Sequence, residues 1–98
     1  MIHHVVLLRF REGVADAEIA RVGRALEELV GRVPEIRRLA FGRNQAPDAE
    51  WPWALLVVCD DMAAVQRYLD HPEHQRVVRE TLLPIRAGRI AVDLEVPA

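Results

Sequence analysis

The chain has 98 residues and a formal net charge of −2, with 51% hydrophobic but only 5% aromatic residues. This charge balance excludes a general attraction to nucleic acid or to anionic lipid, and no apolar run approaches the roughly 20 residues that span a bilayer. We expect residues 1–98 to form one cytoplasmic domain with a core of Val, Leu, Ile and Ala.

A strand, a helix and a second strand are predicted in the first half of the chain. Residues 2–10 alternate between two faces, which is typical of a strand. Asp16 is the predicted N-cap of a helix that ends at Gly31 and Pro34, and residues 35–42 form the next strand. The buried residues of this helix are expected to be Ile19, Val22, Leu26, Leu29, Val30 and Val33.

The second half begins with a loop over residues 42–50 and a nearly continuous apolar strand from Trp53 to Cys59. Asp60 or Asp61 is predicted to cap a short helix that stops near Asp70. A second helix starts at Pro72 and runs to about Leu82, because proline suits the first helical position but not a helix interior. A last alternating strand opens at Gly88.

The predicted order β-α-β-β-α-β is that of a ferredoxin-like α+β fold, with a four-stranded antiparallel sheet and helices on one face. The first and third strands are apolar on both faces, whereas the helices cover only one. A monomer would therefore expose a large apolar patch, which soluble monomers rarely tolerate. We expect a homodimer in which two sheets face each other and close a barrel.

The segment from Tyr68 to His74 holds the strongest candidates for chemistry. His74 shares a helical stripe with Val77, Val78 and Thr81, so it should point inward. Burial and the positive helix end disfavour imidazolium, and a neutral His74 could accept a proton from a carbon between two carbonyls. Alternatively, His74 is a structural histidine hydrogen-bonded at the corner.

Tyr68 lies in the last turn of the preceding helix, close to the corner. Its hydroxyl could donate to a substrate carbonyl oxygen that becomes an enolate. The alternative for this side chain is a helix-end tyrosine with an apolar ring and a solvated hydroxyl. His71, next to Pro72, is expected to have a structural role near the N-cap.

His4 lies on the strand face that should meet the helices, where it could border the same cavity as His74. The alternative is a core histidine with one backbone partner. The residues expected to contact a bound small molecule are His4, Val6, Leu8, Val77 and Val78.

Neither a metal nor a cofactor is expected. A metal site needs three or four converging ligands, but His3 and His4 point to opposite sides of a strand, and Cys59 is the only cysteine. A divalent site shared between two subunits stays open as an alternative. No Gly-rich phosphate loop or serine elbow occurs, so nucleotide binding and acyl transfer find no support.

Four stretches together resemble the stress-responsive dimeric α/β-barrel (Dabb) family. They are the opening strand 2–10 with the Arg-Glu-Gly that follows it, the turn at 42–44, the segment 68–74, and the closing strand 90–94. The Tyr-x-x-His-Pro-x-His element is the most specific of them. The resemblance implies the dimeric barrel fold, and we expect this homodimer to bind a small-molecule ligand. Nucleic-acid and membrane partners are not expected, because of the charge balance and the short apolar runs.

The resemblance also implies a possible activity. One plant member is a polyketide cyclase that closes a linear polyketide by aldol condensation without a cofactor, and its catalytic residues correspond to Tyr68 and His74, with a further histidine at His4. Three functions are therefore expected. The first is a stress-response dimer that binds a small molecule, the second is a cyclase or lyase acting on a β-carbonyl compound, and the third, drawn from related barrels, is a cofactor-free monooxygenase.

Overall fold

Four antiparallel strands form one sheet in the order β2-β3-β1-β4. The computed structural model describes residues 1–97. The strands are β1 (Ile2–Phe10), β2 (Arg38–Arg43), β3 (Trp53–Cys59) and β4 (Arg86–Glu95). The helices are α1 (Asp16–Glu27), α2 (Met62–Asp70) and α3 (Pro72–Val77), and a π-helical segment (Val78–Leu82) continues α3. This is the predicted β-α-β-β-α-β order, with the second helical element broken at Pro72.

The predicted two-sided character of β1 is confirmed. Ile2, His4, Val6 and Leu8 are buried, whereas the residues between them, such as Val5 and Leu7, are only partly buried. The buried row packs with α1, α2 and α3 into one core. Because β1 lies between β3 and β4, its helix-facing side chains stand in the middle of the molecule.

Helix α1 is shorter than its apolar pattern predicts. It begins one residue after an N-cap at Ala15, so Asp16 is the first helical residue rather than the cap, and it ends at Glu27. Tight turns come next, in which Leu29 N–H donates to Leu26 and Val30 N–H donates to Glu27. These turns still bury Leu29 and Val33 but leave Val30 48% exposed, so its predicted burial is wrong.

The corner at Pro72 forms as predicted. The Asp61 carboxylate caps α2 by accepting from Ala64 N–H at 2.8 Å, and His71 is extended between the two helices. The helix after the corner differs from the prediction, because only six residues are α-helical before the π-helical segment. There Leu83 N–H donates to the Val78 carbonyl at 2.8 Å, which widens the last turn by one residue.

Candidate functional site

A cavity of about 300 Å³ lies between the helix-facing side of the sheet and the helical layer. Strands β1, β3 and β4 supply one wall, and α1, α2, α3 and the π-helical segment supply the other. The lining residues are mostly aliphatic, with three aromatic polar side chains and two arginines. They are His4, Val6, Leu8, Leu26, Leu55, Tyr68, Leu69, His74, Val78, Leu82, Leu83, Arg86 and Arg89.

His74 reaches the cavity from the first turn of α3 and is fixed by the end of α2. Its Nδ1 lies 3.1 Å from the Leu69 carbonyl oxygen. A carbonyl can only accept, so Nδ1 carries the proton and donates it, which leaves Nε2 as the basic atom of the neutral ring. Burial lowers the pKa of His74 below 6.5. The hydrogen bond to Leu69 raises this pKa, and the charges of His4, His71 and Arg89 lower it further. The direction of this pKa shift favours the neutral ring at pH 7.

Tyr68 lies beside His74, with ring centroids 4.3 Å apart. Its side chain is fully buried, so the alternative of a solvated hydroxyl is wrong. That hydroxyl forms no hydrogen bond with any group of residues 1–97. Burial raises the pKa of Tyr68 strongly, which keeps the phenol protonated and able to donate.

His4 borders the same cavity from the centre of the sheet. Its ring centroid is 6.1 Å from that of Tyr68, and its Nδ1 lies 2.6 Å from a carboxylate oxygen of Asp93. Because a carboxylate accepts, Nδ1 donates to it and the other ring nitrogen, Nε2, stays available. The alternative of a core histidine predicted a backbone partner for His4. Its partner is instead the side chain of Asp93 on β4.

The structure brings together all but one of the predicted site residues. Val6, Leu8 and Val78 line the cavity together with His4, Tyr68 and His74. Val77, the last residue of α3, does not line the cavity, so its predicted contact with a bound molecule is not supported, although its side chain is buried in the same core. His71 stays outside the cavity, where its Nδ1 accepts from Glu73 N–H at 3.1 Å and caps α3, which confirms its structural placement.

Sequence reasoning missed the contribution of β4 to the cavity. In the β1–β4 register, Arg89 pairs with Leu8 and Asp93 pairs with His4. Residues paired in this way share a sheet face, so both side chains lie on the helix side. The alternation of β4 was visible in the sequence, but the register that places Arg89 and Asp93 at the site was not.

The part of the chain that the structure describes has neither a cluster of metal-binding side chains nor a membrane-spanning helix. Residues 1–97 contain no group of three or more His, Cys, Asp or Glu side chains that could hold a metal ion. No helix in this range is long and apolar enough to cross a membrane.

Two solved structures illustrate the class of fold. A dimeric ferredoxin-like protein of unknown function from Thermobifida fusca is 28% identical, with a TM-score of 0.84 over 97% of this chain and 90% of that one. The hydroxynitrile lyase of Passiflora edulis has a TM-score of 0.86 at 15% identity, over 98% of this chain and 93% of that one. The second likeness concerns the fold alone. The first confirms the ferredoxin-like α+β architecture.

The sequence defines the family within that class. The model of the stress responsive A/B barrel domain family, Dabb, matches residues 2–96, so the chain belongs to this family. An uncharacterized protein of Streptomyces coelicolor, SCO4036, is 35% identical over 80 residues, covering 76% of this chain and 80% of that protein.

Proposed function

We propose that this chain binds a small, largely apolar molecule in the cavity between sheet and helices. The observation that carries the proposal is the convergence of His4, Tyr68 and His74 on one cavity whose remaining wall is mainly aliphatic. A cavity of about 300 Å³ is at the lower end of the usual range for ligand sites. The unpartnered Tyr68 hydroxyl supplies a donor for the ligand.

Filling the cavity tests this proposal. Val78→Trp introduces a ring into the partly buried lining, and we expect it to weaken binding of a small apolar probe, 1-octanol, by at least about tenfold, as NMR titration would measure. The matched control is Val30→Trp, at an exposed position that does not line the cavity. Binding that is equally strong in Val78→Trp would place the probe elsewhere and contradict the proposal.

We propose further that the protein acts as a homodimer through the open face of its sheet. The T. fusca protein with the same fold is described as dimeric. On β4 of this chain, Ile90, Val92 and Leu94 are 48%, 54% and 53% exposed, on the side of the sheet away from the helices. A second sheet placed on this face would remove them from water.

A second candidate function is cofactor-independent catalysis on a carbonyl compound. The specific observation is that a neutral His74 lies beside the ring of Tyr68, whose hydroxyl is protonated. His74 contacts the Leu69 carbonyl through Nδ1, so its Nε2 is free of that contact. One group accepts a proton and the other donates a hydrogen bond. This combination suits proton abstraction from a carbon next to a carbonyl group.

Only the substrate and these two side chains take part in the proposed reaction, and the proton that the substrate loses returns to it. His74 Nε2 takes a proton from a carbon between two carbonyls, and the electron pair of the C–H bond passes to the carbonyl oxygen. Tyr68 donates a hydrogen bond to the resulting enolate oxygen. In a polyketide-like chain, the enolate carbon then forms a C–C bond with a second carbonyl carbon, and the alkoxide recovers the proton from His74.

Deuterium exchange tests the first step without knowledge of the natural substrate. We expect the protein to accelerate incorporation of deuterium at C2 of ethyl 3-oxohexanoate in D₂O, followed by proton NMR. His74→Asn keeps an N–H donor for the Leu69 carbonyl but lacks Nε2, and we expect the accelerated rate to fall about 100-fold or more. In Tyr68→Phe, the accelerated exchange rate should fall by a similar factor.

The structure also provides a folding control for this experiment. Because the Tyr68 hydroxyl has no hydrogen-bond partner within residues 1–97, Tyr68→Phe should fold with undiminished stability. An exchange rate equal to that of buffer for the native protein would contradict this reaction while leaving ligand binding intact. A rate that persists in His74→Asn would assign the base to another group.

A further inference from the structure

Arg86 and Arg89 place two positive charges on the lining of the cavity. Both lie on β4, and the lining residues include no aspartate or glutamate. The carboxylate of Asp93, on the same face of β4, is already paired with His4 Nδ1 at 2.6 Å. Arg89 is exposed and Arg86 is partly exposed, so they stand on the solvent side of the cavity. The aliphatic part of the cavity wall, which includes Val6, Leu8 and Leu55, is buried.

Neither arginine is neutralised by the protein. Within residues 1–97, no carboxylate lies within 4.0 Å of Arg86 or Arg89, in contrast to Arg37, which pairs with Asp60 at 2.8 Å. Partial burial and the neighbouring positive charge of Arg89 lower the pKa of Arg86. Two guanidinium groups that repel each other at a cavity are stabilised when an anion is bound there, because each then gains a partner of opposite charge.

We infer that the ligand of this cavity is an amphipathic anion, whose oxyanion end group is held by Arg86 and Arg89 while its apolar body lies against the aliphatic wall. A guanidinium group presents two parallel N–H donors, which match the oxygens of a carboxylate or a phosphate. The inference rests on the proposed binding function and adds the charge of the ligand to it. The end that reaches Tyr68 and His74 is then the uncharged one.

Three eight-carbon probes that differ only in their end group test the inference. Isothermal titration at low ionic strength compares 1-octanol, octanoate and octyl phosphate. We expect at least one of the anions to bind about tenfold more tightly than 1-octanol, since charge-assisted hydrogen bonds are stronger than neutral ones. Preference for octanoate indicates a carboxylate ligand, and preference for octyl phosphate indicates a phosphate.

Arginine variants connect the preference to the two residues. Arg86→Gln/Arg89→Gln should bind the anions and 1-octanol with affinities within about threefold of each other. The control Arg32→Gln/Arg38→Gln changes the net charge equally at exposed positions outside the cavity and should keep the preference. If the double variant does not fold, Arg89→Gln alone replaces it. This single variant should fold normally, because Arg89 is exposed, and should reduce the preference for the anions over 1-octanol.

The outcomes separate this inference from the proposed function. If the native protein binds 1-octanol as tightly as both anions, ligand binding stands and the anionic preference is wrong. A preference that survives in Arg86→Gln/Arg89→Gln, or is lost in the control, also overturns it. If none of the probes binds at millimolar concentration, both the proposed function and this inference fail.

Discussion

At the scale of single residues, the site is marked by groups that reduce stability. A buried hydroxyl without a partner costs about 1–3 kcal/mol, and the Tyr68 hydroxyl is in this position within residues 1–97. His74 is held neutral by burial, so it resists the proton that an exposed histidine would accept. Stability alone favours phenylalanine at one position and an apolar residue at the other. Two such groups side by side at a cavity support a functional role.

The lowered pKa of His74 predicts a pH dependence of stability. In the unfolded chain the pKa is near 6.5, whereas burial lowers it in the folded protein. The unfolded state therefore binds more protons between these two values, and the free energy of unfolding falls as the pH drops below about 6.5. We expect His74→Asn to lose less stability than the native protein between pH 7.5 and pH 5 in urea denaturation.

The difference between the two proteins is the informative quantity in this experiment. Carboxylates elsewhere in the chain titrate in both and cancel in the comparison. Asn retains a donor for the Leu69 carbonyl, so the variant removes the titrating group rather than the contact. Parallel loss of stability in both proteins would show that His74 is not held neutral in the folded state.

At the scale of elements, local signals predicted the corner but not the geometry of the helical turns after Val77. The fixed backbone angle and missing N–H of Pro72 dictate a helix start, and the short side chain of Asp61 suits a cap, so both could be predicted from single residues. The π-helical segment from Val78 has no such signal, because its extra residue per turn is set by packing. The arginines of β4 were missed for a related reason, since their register depends on β1, at the other end of the chain.

The cap at this corner can be tested separately from the cavity. The His71 side chain accepts a hydrogen bond from Glu73 N–H, so His71→Ala should lower the free energy of unfolding by about 0.5–2 kcal/mol. His71→Asp, which keeps an acceptor at the N-cap, should recover most of that loss. Binding of 1-octanol should change little in either variant, because His71 does not line the cavity. Loss of binding with unchanged stability would instead place His71 in the site.

At the scale of the whole molecule, the sheet has one covered and one open face. The helical layer buries the face that carries His4, and the cavity lies where this layer meets the sheet. The opposite face presents Ile90, Val92 and Leu94 of β4 to water, next to the partly buried Val5 and Leu7 of β1. Both faces of β1 were readable as apolar from the sequence, and this property alone predicted a missing partner. The depth of the cavity was not readable, because it depends on how far the helices stand from the sheet.

A charge on the open face tests whether a second copy covers it. Val92→Asp should convert a dimer into a monomer, because the two-fold symmetry of a homodimer would bury two unpaired carboxylates for one substitution. We expect the dissociation constant to rise by more than about 100-fold, measured by light scattering after size exclusion. Val30→Asp is the matched control, since Val30 is also about half exposed but precedes β2 in a turn away from β4. It should remain dimeric. Two outcomes would contradict the proposed interface: a native protein that is monomeric at micromolar concentrations, and a Val92→Asp variant that stays dimeric. A folded monomer of Val92→Asp would instead show that the core beneath α1 and α2 is stable without its partner.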